Sequence, residues 1–120
     1  MIVKNWRGNA PTIVHRSGID WRLLSEIGEK GVDPESACLR GMKFVSLAWL
    51  QPGLSYKPHS HPNQEEIWYI ISGKGTMRID EEKRKIRDGD IIYIPVNGVH
   101  QIINDGDEMI KFLAMEAEVK

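Results

Sequence analysis

The chain has 120 residues, 41% of them hydrophobic, enough for one domain with a real core and too few for separate catalytic and substrate domains. Sixteen Lys and Arg stand against seventeen Asp and Glu, spread along the chain, for a formal net charge of −1. No electrostatic case for nucleic acid follows, because a phosphate-binding surface shows as a basic excess. No stretch approaches the roughly 18 apolar residues of a membrane span. The first residues also lack a basic run followed by an apolar one, which argues against a secretory signal. Cys38 stands alone, so no disulfide forms within the chain and a reducing compartment, the cytoplasm, is expected. Nothing beside Cys38 marks it as activated, and it reads as a small semi-buried side chain.

In chain order, Ile13 to His15 reads as a short strand. Trp21 to Ile27 reads either as a strand or as one or two helical turns capped by Asp20. Gly28 to Arg40, with two glycines, a proline and several charges, reads as a long loop. From Met42 the pattern becomes strand, turn, strand. Phe44 to Leu50 is closed by Gln51-Pro52-Gly53, and the β-branched and aromatic run Ile67 to Ile71 by Ser72-Gly73-Lys74-Gly75. Thr76 to Asp80, Lys85 to Arg87, Ile91 to Ile94, His100 to Asn104 and Met109 to Met115 follow, each bounded by Gly, Pro, Asn or Asp. The mixed charges of Asp80 to Lys85 predict a solvated hairpin tip. Short strands at this spacing, with almost no helical period, predict an all-β sandwich or barrel.

Chemistry concentrates in two places. His59 and His61 are two apart, so on an extended strand their imidazoles share a face, and a carboxylate follows at Glu65 or Glu66. A third histidine, His100, lies downstream. Neutral imidazole suits zinc, copper, iron and nickel, and a carboxylate widens the choice to manganese. Adjacent strand residues face opposite ways, so only one of the two glutamates can point inward. Trp68 and Ile70 then share the Glu66 face, while Ile67, Tyr69 and Ile71 take the other. Two apolar faces predict a strand covered twice, once inside the barrel and once by another sheet, segment or subunit.

Together the two segments resemble the cupin superfamily, in its small single-domain form. Gly53, His59, His61, Glu66 and Gly73 fit the first cupin motif, and Gly89, Pro95, His100 and Asn104 fit the second. One glycine of the second motif is displaced: Asn97 stands there and Gly98 follows, and asparagine tolerates positive φ better than most residues. The resemblance implies a double-stranded β-helix, or jelly-roll barrel, over residues 41–117. Residues 1–40 would then be a strand and loop extension packing on the barrel or on a partner subunit. It also implies that His59, His61, Glu66 and His100 hold one divalent transition metal ion, Fe, Mn, Ni, Co or Zn, inside the barrel. His15 lies outside both motifs and reads as an ordinary, partly exposed histidine.

Such a centre supports several reactions, and each needs a further protein group. Tyr56, just before the ligands, and Arg78, which can hold a carboxylate bidentately, are the catalytic candidates. Two functions stay open: a small metalloenzyme acting on a carboxylate, sugar or phenolic substrate as dioxygenase, isomerase or decarboxylase-like lyase, or a non-catalytic metal- or ligand-binding module. No DNA-binding helix-turn-helix accompanies the barrel, which favours the enzyme. Single-domain relatives are commonly dimers, and a homodimer is expected through the outer face of Ile67 to Ile71 and the tryptophans Trp6 and Trp21.

Overall fold

In the computed structural model, which describes residues Met1–Lys120, ten β-strands follow a single 3-10 turn at Trp6–Gly8. They are β1 (Thr12–Val14), β2 (Gly18–Glu26), β3 (Ala37–Leu39), β4 (Met42–Leu50), β5 (Gln64–Ser72), β6 (Lys74–Ile79), β7 (Glu82–Arg87), β8 (Ile91–Ile94), β9 (His100–Ile103) and β10 (Ile110–Glu118). The larger sheet runs β1-β2-β4-β10-β5-β8, with β3 also paired to β2, and the smaller runs β7-β6-β9. The segment before β5 extends the smaller sheet past β9, through antiparallel bridges Ser55↔Ile103 and His59↔His100. The result is the all-β double-stranded β-helix that the strand pattern and the resemblance imply.

Alternation decides which side of each strand is buried. Glu66, Trp68 and Ile70 of β5 and Ile110, Phe112 and Ala114 of β10 face the smaller sheet, where Met77, Ile86 and Ile102 meet them. Trp68 and Phe112 stack at 4.7 Å between ring centroids in the middle of this core. The other face of β5 is open: Ile67, Tyr69 and Ile71 are 38%, 42% and 45% exposed, so within one chain this strand is covered once.

The N-terminal region shows where short-range reading fell short. Of Trp21 to Ile27, all but Ile27 is strand, because β2 pairs with β4 from Ile19↔Trp49 to Ser25↔Phe44 and ladder bonds override any local helical tendency. Trp6 and Trp21 close on Trp49 of the same chain at 5.2 and 4.7 Å between ring centroids. The predicted loop 28–40 contains β3, which pairs parallel with β2 at Ser25↔Ala37. The predicted hairpin tip is also shorter than expected. Only Asp80 and Glu81 turn, with Asp80 at φ 52, and Glu82–Arg87 is strand paired to β6.

Turn chemistry follows the motifs. Gly53 at φ 80 completes the turn opened by Pro52, with Leu54 N–H donating to Gln51 O at 3.2 Å. The positive φ expected around residue 97 falls on Asn97, at 64°. Asn104, 1% exposed, ties loops together: its amide donates to Leu50 O and Glu108 O, both at 2.8 Å, and its side-chain oxygen accepts from Gly106 N.

Candidate metal centre

Three pieces of chain converge at one end of the barrel. The bridge between His59 and His100 is a closed pair, His100 N–H to His59 O at 2.8 Å and His59 N–H to His100 O at 3.2 Å, which sets their rings 4.1 Å apart. His61 is held by its carbonyl, which accepts from Asn97 N at 3.0 Å, and its ring lies 4.9 Å from His59 and 5.5 Å from His100. Glu66 enters from β5 in the larger sheet. One ligating atom from each of His59, His61, Glu66 and His100 falls within 4.8 Å of the others. Glu65 takes the opposite face, where its carboxylate accepts from the Tyr93 hydroxyl at 2.9 Å.

The hydrogen bonds around these groups orient them. His59 Nδ1 lies 3.0 Å from Lys57 O and His100 Nδ1 lies 2.9 Å from Gly98 O. A carbonyl only accepts, so the proton sits on Nδ1 and the Nε2 lone pair faces the cluster. Trp68 Nε1 donates to Glu66 Oε1 at 3.1 Å, which leaves Oε2 turned the same way. His59 Nε2, His100 Nε2 and Glu66 Oε2 are all buried, and none has a hydrogen-bond partner. Glu66 Oε2 stands 3.4 Å from both His61 Nε2 and His100 Nε2. Acceptors facing one another across such distances in a buried site repel unless a positive charge lies among them. This donor set therefore could hold a metal ion.

Titration agrees with that need. Burial, followed by the neighbouring imidazoles, keeps His59 below its ordinary pKa, and burial does the same for His61. Both are thereby neutral and free to ligate. Burial pushes the Glu66 carboxyl up, but the adjoining His100 imidazole and donation from Trp68 outweigh it, and the group lies below the usual range.

Two residues outside the expected set also reach the centre. Glu116 of β10 is the cross-strand partner of Glu66, is 5% exposed, and has Oε1 3.8 Å from His61 Nε2. The Gln64 amide, turned to satisfy both groups, donates to its two oxygens at 3.1 and 3.3 Å. Burial, then the Glu66 charge, raises the Glu116 carboxyl to about 7. The alternation Ile110, Phe112, Ala114, Glu116 was the sequence signal, since a glutamate that ends an inward-facing apolar run must face inward too. His15 lies against the ring of His59, and burial, then that neighbour, lowers its pKa to about 4.

Tyr56 and Arg78 part company. Tyr56 is 2% exposed, with its ring 5.8 Å from Trp68 and 6.1 Å from Phe112, and burial raises its phenol above the ordinary value. Arg78 lies between inward-facing Met77 and Ile79, so it takes the outer face of β6, where Nε donates to Asp80 O at 2.9 Å. It is not among the groups gathered at the centre. A cleft of about 430 Å³ opens elsewhere, between β7 and β8, and none of the four gathered residues lines it.

Comparison with known proteins places this architecture. The chain belongs to the cupin domain family, which matches it over residues 46–116. It is similar to oxalate decarboxylase OxdC of Bacillus subtilis, 36% identical over 119 residues, taking in 93% of this chain and 31% of that protein. An oxalate-binding protein of Thermotoga maritima is 33% identical over 66 residues, 55% of this chain and 54% of the relative. The chain thus spans about a third to a half of these curated relatives. Among solved structures, a predicted oxalate decarboxylase from Thermotoga maritima superposes with a TM-score of 0.81 at 25% identity, covering 98% of this chain and all of that one. No helix is long and apolar enough to cross a membrane.

Proposed function

We propose that this protein is a metal-dependent cupin enzyme that acts on a small carboxylate, of which oxalate is the simplest case, as a decarboxylase-like lyase. His59, His61, Glu66 and His100 hold one divalent transition metal ion per chain, drawn from Fe, Mn, Ni, Co and Zn. The observation that carries the reading is the set of three buried, partnerless acceptor atoms turned toward one point. When bound, such an ion acts as a Lewis acid on a carboxylate or a water oxygen. The chain's own groups do the rest. The Lys57 and Gly98 carbonyls fix the imidazole tautomers, Trp68 aims the Glu66 carboxylate, and the Trp68 and Phe112 rings exclude water from beneath it. Tyr56 remains the candidate hydrogen-bond donor to substrate. Dioxygenase and isomerase chemistry are the other reactions open to a centre of this type.

The choice of oxalate rests on the names of the relatives and of the superposed structure. The oxalate-binding relative also favours a second reading, a module that holds the ligand without turning it over. Protein loaded in turn with each metal, then given oxalate, separates the two. Release of carbon dioxide and formate with at least one metal supports the enzyme. No turnover or oxygen uptake with any metal, alongside an oxalate-dependent rise in melting temperature, assigns binding. His61→Ala is expected to abolish stoichiometric metal uptake, and uptake at the wild-type level removes His61 from the ligand set. We further propose a cytoplasmic homodimer, supported by the unpaired Cys38 and by the open apolar face of β5 and β8.

A further inference from the structure

The β1–β2 hairpin reaches the centre from outside both motifs. Its tip, His15-Arg16-Ser17, is anchored to the segment that carries His59 at every residue from 55 to 57. The Ser17 hydroxyl donates to Ser55 O, and Lys57 N–H donates to His15 O at 3.0 Å. Gly18 closes on the Tyr56 ring so tightly that a Cβ there would lie 2.4 Å from Tyr56 Cε1. The imidazole of His15 then lies flat on that of His59, with centroids 3.8 Å apart and planes within 14°. This arrangement holds two consecutive non-glycine residues at positive φ, His15 at 49° and Arg16 at 79°. Such backbone is costly and persists where surrounding contacts demand it.

The reason to hold His15 there lies in what restrains His59. Its hydrogen bond to Lys57 O fixes one ring atom and leaves the ring free to swing about that contact. His61 and His100 approach it at 78° and 58°, so neither lies flat against a face. The parallel contact with His15 is the one that sets the plane. We infer that His15 is a positioning residue of the centre: stacked on His59, it fixes the imidazole plane so that Nε2 stays aimed at the other three donors. The inference rests on the proposed ligand role of His59, and the hairpin tip is then part of the site rather than a peripheral extension.

The test compares wild type, His15→Ala, His15→Phe and Ser17→Ala. Cobalt(II) titration followed by its visible absorption reads affinity and ligand geometry. Long-range proton–nitrogen spectra of the metal-free protein read each imidazole separately. Loss of the stacked ring is expected to weaken cobalt binding about 10- to 100-fold, the usual effect of removing a group that orients a ligand. It should also alter the absorption bands and shift the His59 resonances while leaving those of His100 in place. His15→Phe, which keeps a flat ring and removes the nitrogens, is expected to restore affinity to within about threefold of wild type. Ser17→Ala, which loosens the tip without touching either ring, should move the His59 resonances in the same direction and carries the test if His15→Ala fails to fold. Wild-type cobalt affinity and unmoved His59 resonances in both His15→Ala and Ser17→Ala overturn the inference. So does a His15→Phe protein as impaired as His15→Ala, because the nitrogens and not the stacked face would then matter. If wild type takes up no cobalt, the ligand reading fails instead, and the metal-free spectra still decide whether His15 sets the plane of His59.

Discussion

Asp20 shows how an ionisable residue on the barrel's inner surface ties stability to pH. It stands opposite Ala48 on β4, a core residue, so its carboxyl is carried inward. Burial raises its pKa, with a smaller contribution from the Glu66 charge, while the Ser46 hydroxyl and Arg22 act the other way without cancelling it. A raised folded pKa means that the folded state keeps the proton over a window in which the unfolded chain has lost it. The resulting stability is fully present below the unfolded value of about 3.9 and is lost as pH rises through the folded value. Asp20→Asn, which stays neutral throughout, is therefore expected to melt near the wild-type temperature at pH 3.5 and above it at pH 7.5. Thermal melts of metal-free protein at the two pH values check this, and a lower melting temperature for the variant at pH 7.5 contradicts it. Sequence offered no sign of this burial, because the face of β2 is set by pairing with β4 and not by any alternation that Asp20 makes visible.

The connection from β5 to β6 shows how elements constrain single positions. Gly73 sits at φ 97, and a Cβ there would lie 2.5 Å from Met109 O and 2.9 Å from Ile110 Cα, at the start of β10. Gly89, before β8, has a similar φ of 89 but nothing within 4 Å of the added carbon. Alanine at 89 meets only the left-handed backbone penalty, about 1–2 kcal/mol. Alanine at 73 adds a collision with main chain that cannot rotate away, for a total of at least about 2–4 kcal/mol. Denaturant unfolding of the two variants checks the ordering, and equal losses would show that the β5–β6 turn can shift off β10. Both glycines were legible as motif positions, yet the difference between them depends on β10, which lies far along the chain.

At the scale of the whole molecule, the open surface is concentrated on one side. Ile91 and Tyr93 of β8 are 68% and 57% exposed beside Ile67, Tyr69 and Ile71 of β5, and β8 is an unpaired sheet edge. A contiguous apolar patch next to a free edge invites a second copy. Light scattering at micromolar concentration is expected to return twice the chain mass for wild type. Ile67→Lys combined with Tyr93→Lys should return the single-chain mass without loss of metal uptake, since both side chains face away from the centre. A wild-type mass equal to one chain contradicts the dimer. The Trp6, Trp21 and Trp49 cluster does not contribute to that patch, because its rings already bury one another on the other half of the sheet.

Sequence by itself determined the strands from Phe44 onward, an all-β sandwich or barrel, and the shared face of His59 and His61. Strand alternation and turn residues act over a few positions, so their effects are written locally. Glu66 and His100 joined that pair, and the barrel took the form of a double-stranded β-helix, through the family motif, which carries long-range pairing in its spacing. Only the tertiary structure decided what depends on register between distant segments. It turned Arg78 outward, placed Glu116 across from Glu66, drew Trp21 into a strand, and laid His15 on His59. No residue adjacent to any of these positions encodes the partner it meets, because that partner is chosen by how whole strands align when the sheets close around the core.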